Sequence, residues 1–122
     1  MYRENEVYIV LEELIKSAGV TVRYENVPDD SIDGAIWARS DTDLNSIMMP
    51  DDPDSFPDEE TACKILGHEM GHILAGLDSP DEPAERENNE ATCDLVGHCL
   101  YKLAEMIVEA KAEKRLRDAA QR

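Results

Sequence analysis

The segment His68-Glu69-Met70-Gly71-His72 has the pattern H-E-x-x-H, two histidines four residues apart with a glutamate after the first. On a helix, residues i and i+4 lie on one face about one turn apart, so both imidazoles can reach one ion. The carboxylate of Glu69 is turned aside from that face, within reach of a water on the ion. The pattern therefore predicts a Zn²⁺ centre that activates water, with Glu69 as the general base.

A catalytic zinc ion needs a third protein ligand and one open position. Three acids at i, i+3 and i+7 share one stripe of the next predicted helix, namely Glu87, Glu90 and Asp94. The pattern N-E-x-x-x-D favours Glu90 as the third ligand. Asp94, one turn further on, is then placed to accept the N–H of a ligating histidine and to fix its tautomer. Glu87 and Asp94 remain the alternatives for the third ligand.

Two residues beyond Asp94 are candidates for stabilising the oxyanion of a tetrahedral intermediate, His98 and Tyr101. His98 lies roughly 12 Å along the helix axis from Glu90, which is far for a direct role. A histidine in the core or on the surface is the alternative interpretation.

The three cysteines are odd in number and include no C-x-x-C pair: Cys63, Cys93 and Cys99. We expect free thiols in a reducing compartment, each acting as a packing residue. No apolar run approaches the roughly 20 residues that span a bilayer. The acids near the N-terminus argue against a signal or transit peptide, so we expect a cytoplasmic protein.

The chain has 122 residues, enough for one domain over 1–122, with a charged tail over 109–122 that we expect to fray. Its 28 acids against 12 bases give a formal net charge of −16. Such a balance argues against direct binding of nucleic acid or of an anionic membrane. Six acids fall in each of the segments 51–60 and 78–90, which flank the H-E-x-x-H helix. Their field favours a divalent cation and a basic substrate.

The hydrophobic pattern predicts an α+β fold with a small three-stranded antiparallel sheet. The predicted elements are a helix over 5–18, strands over 20–24, 34–39 and 45–49, a helix over 58–76 and a long helix over about 84–116. We expect an extended peptide substrate to lie along an edge strand, and we favour the strand over 45–49. Glycines in the H-E-x-x-H helix indicate a close approach, and Gly67 and Gly76 could let the sheet lie against it.

Taken together, the motifs resemble the ImmA/IrrE-type zinc metallopeptidases, a gluzincin-like family common in bacteria, phages and mobile elements. The resemblance covers most of residues 5–108 and is carried by H-E-x-x-H and by the pair Glu90-Ala91. It implies a zincin-like domain, zinc ligands His68, His72 and Glu90, and Glu69 as the base. This chain continues with Thr92-Cys93-Asp94 where the family usually has an asparagine and an aromatic–alanine pair.

The resemblance also implies a substrate, a repressor with a helix-turn-helix domain encoded by a phage or mobile element. The leading hypothesis is therefore a zinc-dependent metalloendopeptidase that cleaves a protein of this kind. The alternative is a non-catalytic, zinc-dependent interaction module that regulates a transcriptional repressor by binding it.

Overall fold

The computed structural model describes residues 2–25, 38–41, 44–51, 56–75 and 83–121. After a 3-10 turn at Tyr2–Glu4, the elements are α1 (Glu6–Ser17), β1 (Thr21–Glu25), β2 (Arg39–Asp41), β3 (Ser46–Pro50), α2 (Glu59–Ala75) and α3 (Pro83–Ala120). The α+β class and the order of the helices agree with the sequence prediction.

Helix α1 begins and ends where its sequence signals indicate. The side chain of Asn5 accepts hydrogen bonds from the backbone N–H groups of Val7 and Tyr8, at 3.0 and 3.3 Å, and so caps the first turn. Gly19 follows the helix with a φ of +87°, a conformation that glycine adopts without steric cost. The buried face of α1 is formed by Tyr8, Val10, Leu11 and Ile15.

The sheet is mixed, so the prediction of a wholly antiparallel sheet is wrong. The strand order is β1-β3-β2, with β3 parallel to β1 and antiparallel to β2. Strand β3 is buried on nearly every residue, whereas β1 has only Val22 buried. The continuous apolar run Ile47-Met48-Met49 is typical of a central strand that is covered on both faces of the sheet, whereas a strand with one solvated face alternates apolar and polar residues.

The central position of β3 also corrects the expectation that residues 45–49 form an edge strand. Among the described residues, β1 and β2 each have a neighbouring strand on one side only, and β2 contacts α2. Residues 34–37 of the predicted second strand lie outside the described residues. The observed β2 includes Ser40 and Asp41, which lie beyond the predicted end of this strand at residue 39.

The reversal between β2 and β3 comes later in the chain than predicted. The carboxylate of Asp41 accepts a hydrogen bond from the backbone N–H of Leu44 at 3.2 Å. Asn45 then adopts a φ of 47°, in the left-handed region that asparagine tolerates better than most residues. Ser40 and Asp41 are thereby free to pair with Ile47 and Ser46 of β3.

The core lies between α1, the sheet and one face of α2. Helix α2 contributes four buried side chains to this core: Ala62, Cys63, Leu66 and Met70. The central strand contributes Ile47 and Met49, both fully buried. One face of the H-E-x-x-H helix is thus fixed by apolar packing, which leaves a different face for chemistry.

Helix α3 has 38 residues and is therefore about 57 Å long. Its first half packs against α2, and a later part contacts α1. Residues 109–121 are all exposed, and the helix nevertheless continues to Ala120 through the charged tail. Within the described part of the chain, no helix combines the length and the apolar character needed to cross a membrane.

Candidate metal centre

Helices α2 and α3 run antiparallel and meet through small residues. A Cβ atom added to Gly67 would lie 2.7 Å from the Cα of Gly97, and one added to Gly71 would lie 3.0 Å from the Cα of Cys93. The close approach expected from the glycines is therefore present, but Gly67 faces α3 and not the sheet. Gly76 lies outside the described residues.

The side chains of His68, His72 and Glu90 converge at this helix–helix contact. The carboxylate of Glu90 lies between the two imidazoles, with Oε2 2.8 Å from Nε2 of His68 and Oε1 3.4 Å from Nε2 of His72. The two rings are 5.0 Å apart at their centroids, with an angle of 73° between their planes. Two histidines on adjacent turns of α2 and one acid on α3 therefore form a single cluster.

The three side chains of this cluster could hold a metal ion. One possible ligand atom from each of the three residues lies within 4.8 Å of the others. In a tetrahedral centre with bonds of about 2.0–2.1 Å, two ligand atoms are roughly 3.4 Å apart. The distances from His68 Nε2 to Oε2 and from His72 Nε2 to Oε1 of Glu90, 2.8 and 3.4 Å, are of this order. Three ligands of the N, N, O type leave a fourth position for water or substrate.

The second nitrogen of His68 is held by Asp94. Its Nδ1 lies 2.7 Å from Oδ1 of Asp94, one helical turn beyond Glu90. A carboxylate accepts a hydrogen bond from Nδ1–H, which leaves the lone pair of Nε2 directed at the position of the metal. This is the contact that the N-E-x-x-x-D pattern predicts. Glu87, the other candidate on the stripe, is exposed on α3.

Glu69 is nearly inaccessible to solvent, with 8% of its surface exposed. Burial raises the pKa of its carboxyl group above the ordinary value. A hydrogen bond from the hydroxyl of Ser40 and the proximity of His72 and His68 lower that pKa, whereas Glu90 raises it. The contact with Ser40 brings strand β2 to the candidate base, and no sequence signal had indicated this residue.

The two oxyanion candidates are placed apart from the cluster. His98 is exposed on α3. Tyr101 lies beside Lys64, with 6.0 Å from the Lys64 Nζ to the ring centroid, and Lys64 is one turn before His68. Tyr101 also lines a cavity of about 310 Å³ together with Cys63 and acids at the start of α2. A role for His98 or Tyr101 in the chemistry therefore stays a prediction without a supporting contact.

The cysteines are free, but they do not share one environment. Cys63 and Cys93 are fully buried, and burial raises the pKa of their thiols to about 12 and about 11. Cys99 is exposed, so the expectation that it packs in the core is wrong. The reason is position, because Cys99 lies on the face of α3 that points away from α2.

Comparisons of the chain with protein-family models, with curated proteins and with solved structures found no match. The resemblance to the ImmA/IrrE-type metallopeptidases therefore remains a prediction from the motifs.

Proposed function

We propose that this protein is a zinc-dependent metalloendopeptidase with His68, His72 and Glu90 as metal ligands and Glu69 as general base. One observation carries the proposal: the carboxylate of Glu90 reaches the Nε2 atoms of both histidines, at 2.8 and 3.4 Å. This places three zinc-type donors from two helices around one point, with an acid of the H-E-x-x-H motif beside them. Such a set is typical of a catalytic centre with an open position.

When bound, the metal supplies a Lewis acid that lowers the pKa of water to about 7 and polarises a peptide carbonyl. The protein residues supply the proton transfers and the alignment. Glu69 accepts a proton from the attacking water and passes it to the leaving amine. Ser40 orients the Glu69 carboxylate through its hydroxyl. Asp94 keeps the His68 ring in one tautomer and one orientation.

The position of β2 supports a peptide as the substrate. Strand β2 contacts α2, and Ser40 on this strand bonds the candidate base. A peptide in extended conformation adds to such an edge through main-chain hydrogen bonds, which give affinity without requiring one sequence. We therefore assign the substrate strand to the edge of β2, in place of β3.

The charge of the chain supports a basic protein as the substrate. The formal net charge is −16, and the side chains of Asp94 and Glu90 beside the centre are 75% and 45% exposed. Negative potential of this kind attracts a positively charged partner and raises its rate of association. A helix-turn-helix repressor of a phage or mobile element has the required positive surface, because it binds DNA phosphates.

The decisive variant is Glu69→Gln, which keeps the shape of the side chain and removes its ability to take a proton. The variant should bind zinc with unchanged stoichiometry, by elemental analysis, and should lose proteolysis. The assay incubates a helix-turn-helix repressor encoded beside this chain with the wild-type protein or the variant, with and without chelator. Retained cleavage by Glu69→Gln would contradict the assignment of the base.

The same assay separates the peptidase from the alternative interaction module. Zinc-dependent fragments of the repressor support the peptidase. A zinc-dependent complex of intact chains, equally stable with wild-type protein and with Glu69→Gln, would contradict it.

A further inference from the structure

Helices α2 and α3 approach to backbone contact directly beside the candidate ligands, and we propose that Gly97 is a positioning residue for the metal centre. Because Gly97 has no side chain, the two helices can approach closely. Their separation sets the distances from the carboxylates of Glu90 and Asp94 to the histidine rings. This inference rests on the proposed function in one respect, that the cluster of His68, His72 and Glu90 binds a metal ion.

The space at Gly97 is closed by backbone atoms on α2. A Cβ atom at this position would lie 2.8 Å from the backbone N of His68 and 2.8 Å from the carbonyl oxygen of Lys64. Neither atom belongs to a flexible side chain that could rotate away. Because ordinary contacts of a Cβ atom begin at 3.4 Å, the helices would have to separate by about 0.6 Å to restore an ordinary contact.

A separation of this size is large compared with the contacts that order the site. The Oδ1 of Asp94, on a side chain with a single methylene, lies 2.7 Å from Nδ1 of His68. Adding about 0.6 Å takes this distance past the upper limit of about 3.2 Å for such a hydrogen bond. The distance from Glu90 to His72, 3.4 Å, would then exceed the spacing of two ligands on one zinc ion.

The helix positions at the contact between α2 and α3 are occupied by glycine, although glycine has a low helix propensity. Glycine in a helix interior costs about 1 kcal/mol relative to alanine. On α2, Gly67 and Gly71 each immediately precede a candidate metal histidine, and both face α3. The closest approach of the two helix backbones therefore lies beside the candidate ligands. Alanine at these positions would favour the helix more than glycine does.

The experiment compares two substitutions of the same kind, Gly97→Ala and Gly19→Ala. Gly19 has a φ of +87° and no atom within 4 Å of an added Cβ, so alanine there strains the backbone without separating α2 from α3. Zinc affinity is measured by competition with a chromophoric chelator, and the visible spectrum of bound Co²⁺ reports the ligand geometry. We expect Gly97→Ala to bind zinc about 10- to 100-fold more weakly, with an altered Co²⁺ spectrum. Gly19→Ala should stay within about threefold of the wild type.

A second readout needs no metal. In the metal-free protein, the hydrogen bond between His68 and Asp94 should give a downfield Nδ1–H resonance in the NMR spectrum at low temperature. This resonance should be lost in Gly97→Ala and retained in Gly19→Ala. If Gly97→Ala does not fold, Gly71→Ala serves in its place, because its Cβ atom would meet Cys93 at a milder 3.0 Å and should weaken zinc binding in the same direction.

The inference is overturned if folded Gly97→Ala keeps the zinc affinity and the His68 resonance of the wild type. It is also overturned if Gly19→Ala loses as much affinity as Gly97→Ala, because the effect then follows global stability. None of these measurements uses proteolysis. A wild-type protein that binds zinc but cleaves nothing would contradict the peptidase while leaving the role of Gly97 intact.

Discussion

His68 has both of its ring nitrogens engaged by acids of α3. Nε2 faces Glu90 at 2.8 Å and Nδ1 faces Asp94 at 2.7 Å, and these two acids are one helical turn apart. Nε2 of His72 lies 3.4 Å from Oε1 of the same Glu90. Two acids on adjacent turns of α3 therefore fix the orientation of the His68 ring.

The substitution Asp94→Ala tests this orientation. It removes the acceptor of the Nδ1–H group, so the ring can rotate and change tautomer, and we expect zinc affinity to fall about 10- to 100-fold. Competition with a chelator measures the change. Glu87→Ala is the matched control, since it removes an exposed acid from the same helix, and its zinc affinity should stay at the wild-type value. Equal losses in the two variants would indicate that general negative charge, and not the bond to His68, holds the metal.

One face of helix α2 packs in the core, and another face carries the histidines of the candidate site. Leu66 and Met70 pack toward α1 and the sheet, while the histidines face α3. Because one rigid element carries both sets, apolar packing fixes the rotation of the helix about its own axis. The direction in which the imidazoles point is thereby set by residues that take no part in chemistry.

The substitution Leu66→Ala measures the strength of this packing. Leu66 is fully buried, so the change removes apolar contacts and leaves a cavity, at an expected cost of about 2–5 kcal/mol in the free energy of unfolding. Leu116→Ala is the control on α3, where the leucine is 72% exposed and the expected change is within about 0.5 kcal/mol. Urea unfolding followed by circular dichroism gives both values. A loss at position 66 no larger than at position 116 would contradict the assignment of this core face.

Across the whole molecule, the excess of acids links stability to the metal. Glu69 and Glu90 lie beside the histidines in a chain of net charge −16. A divalent cation at the cluster would reduce the repulsion between these carboxylates and join α2 to α3. Binding of an ion to the folded state alone also stabilises that state by mass action.

Zinc should therefore raise the melting temperature of the metal-free protein. At a free concentration of 100 times the Kd, the expected stabilisation is about 2.7 kcal/mol, or roughly 10 °C for a chain of this size. Differential scanning calorimetry measures the shift, and a chelator should reverse it. In His72→Ala the shift should be largely absent. A full shift in that variant would place the zinc on other acids of the chain.

The sequence alone determined the features that depend on short spacings. The i, i+4 spacing of the histidines follows from local helix geometry. The extent of α1 and the order of the helices follow from the hydrophobic pattern of each segment. The stripe from Glu90 to Asp94 was also visible, because both residues belong to one helix. These predictions needed no knowledge of which elements are neighbours.

Only the tertiary structure determined which helices and strands are in contact with one another. The position of β3 between β1 and β2, and its parallel pairing with β1, depend on contacts between strands that are distant in the sequence. The contact of Ser40 with Glu69 and that of Gly97 with α2 join residues 29 or more positions apart. Such contacts depend on how apolar faces pack into one core, which the periodicity of each separate segment does not specify.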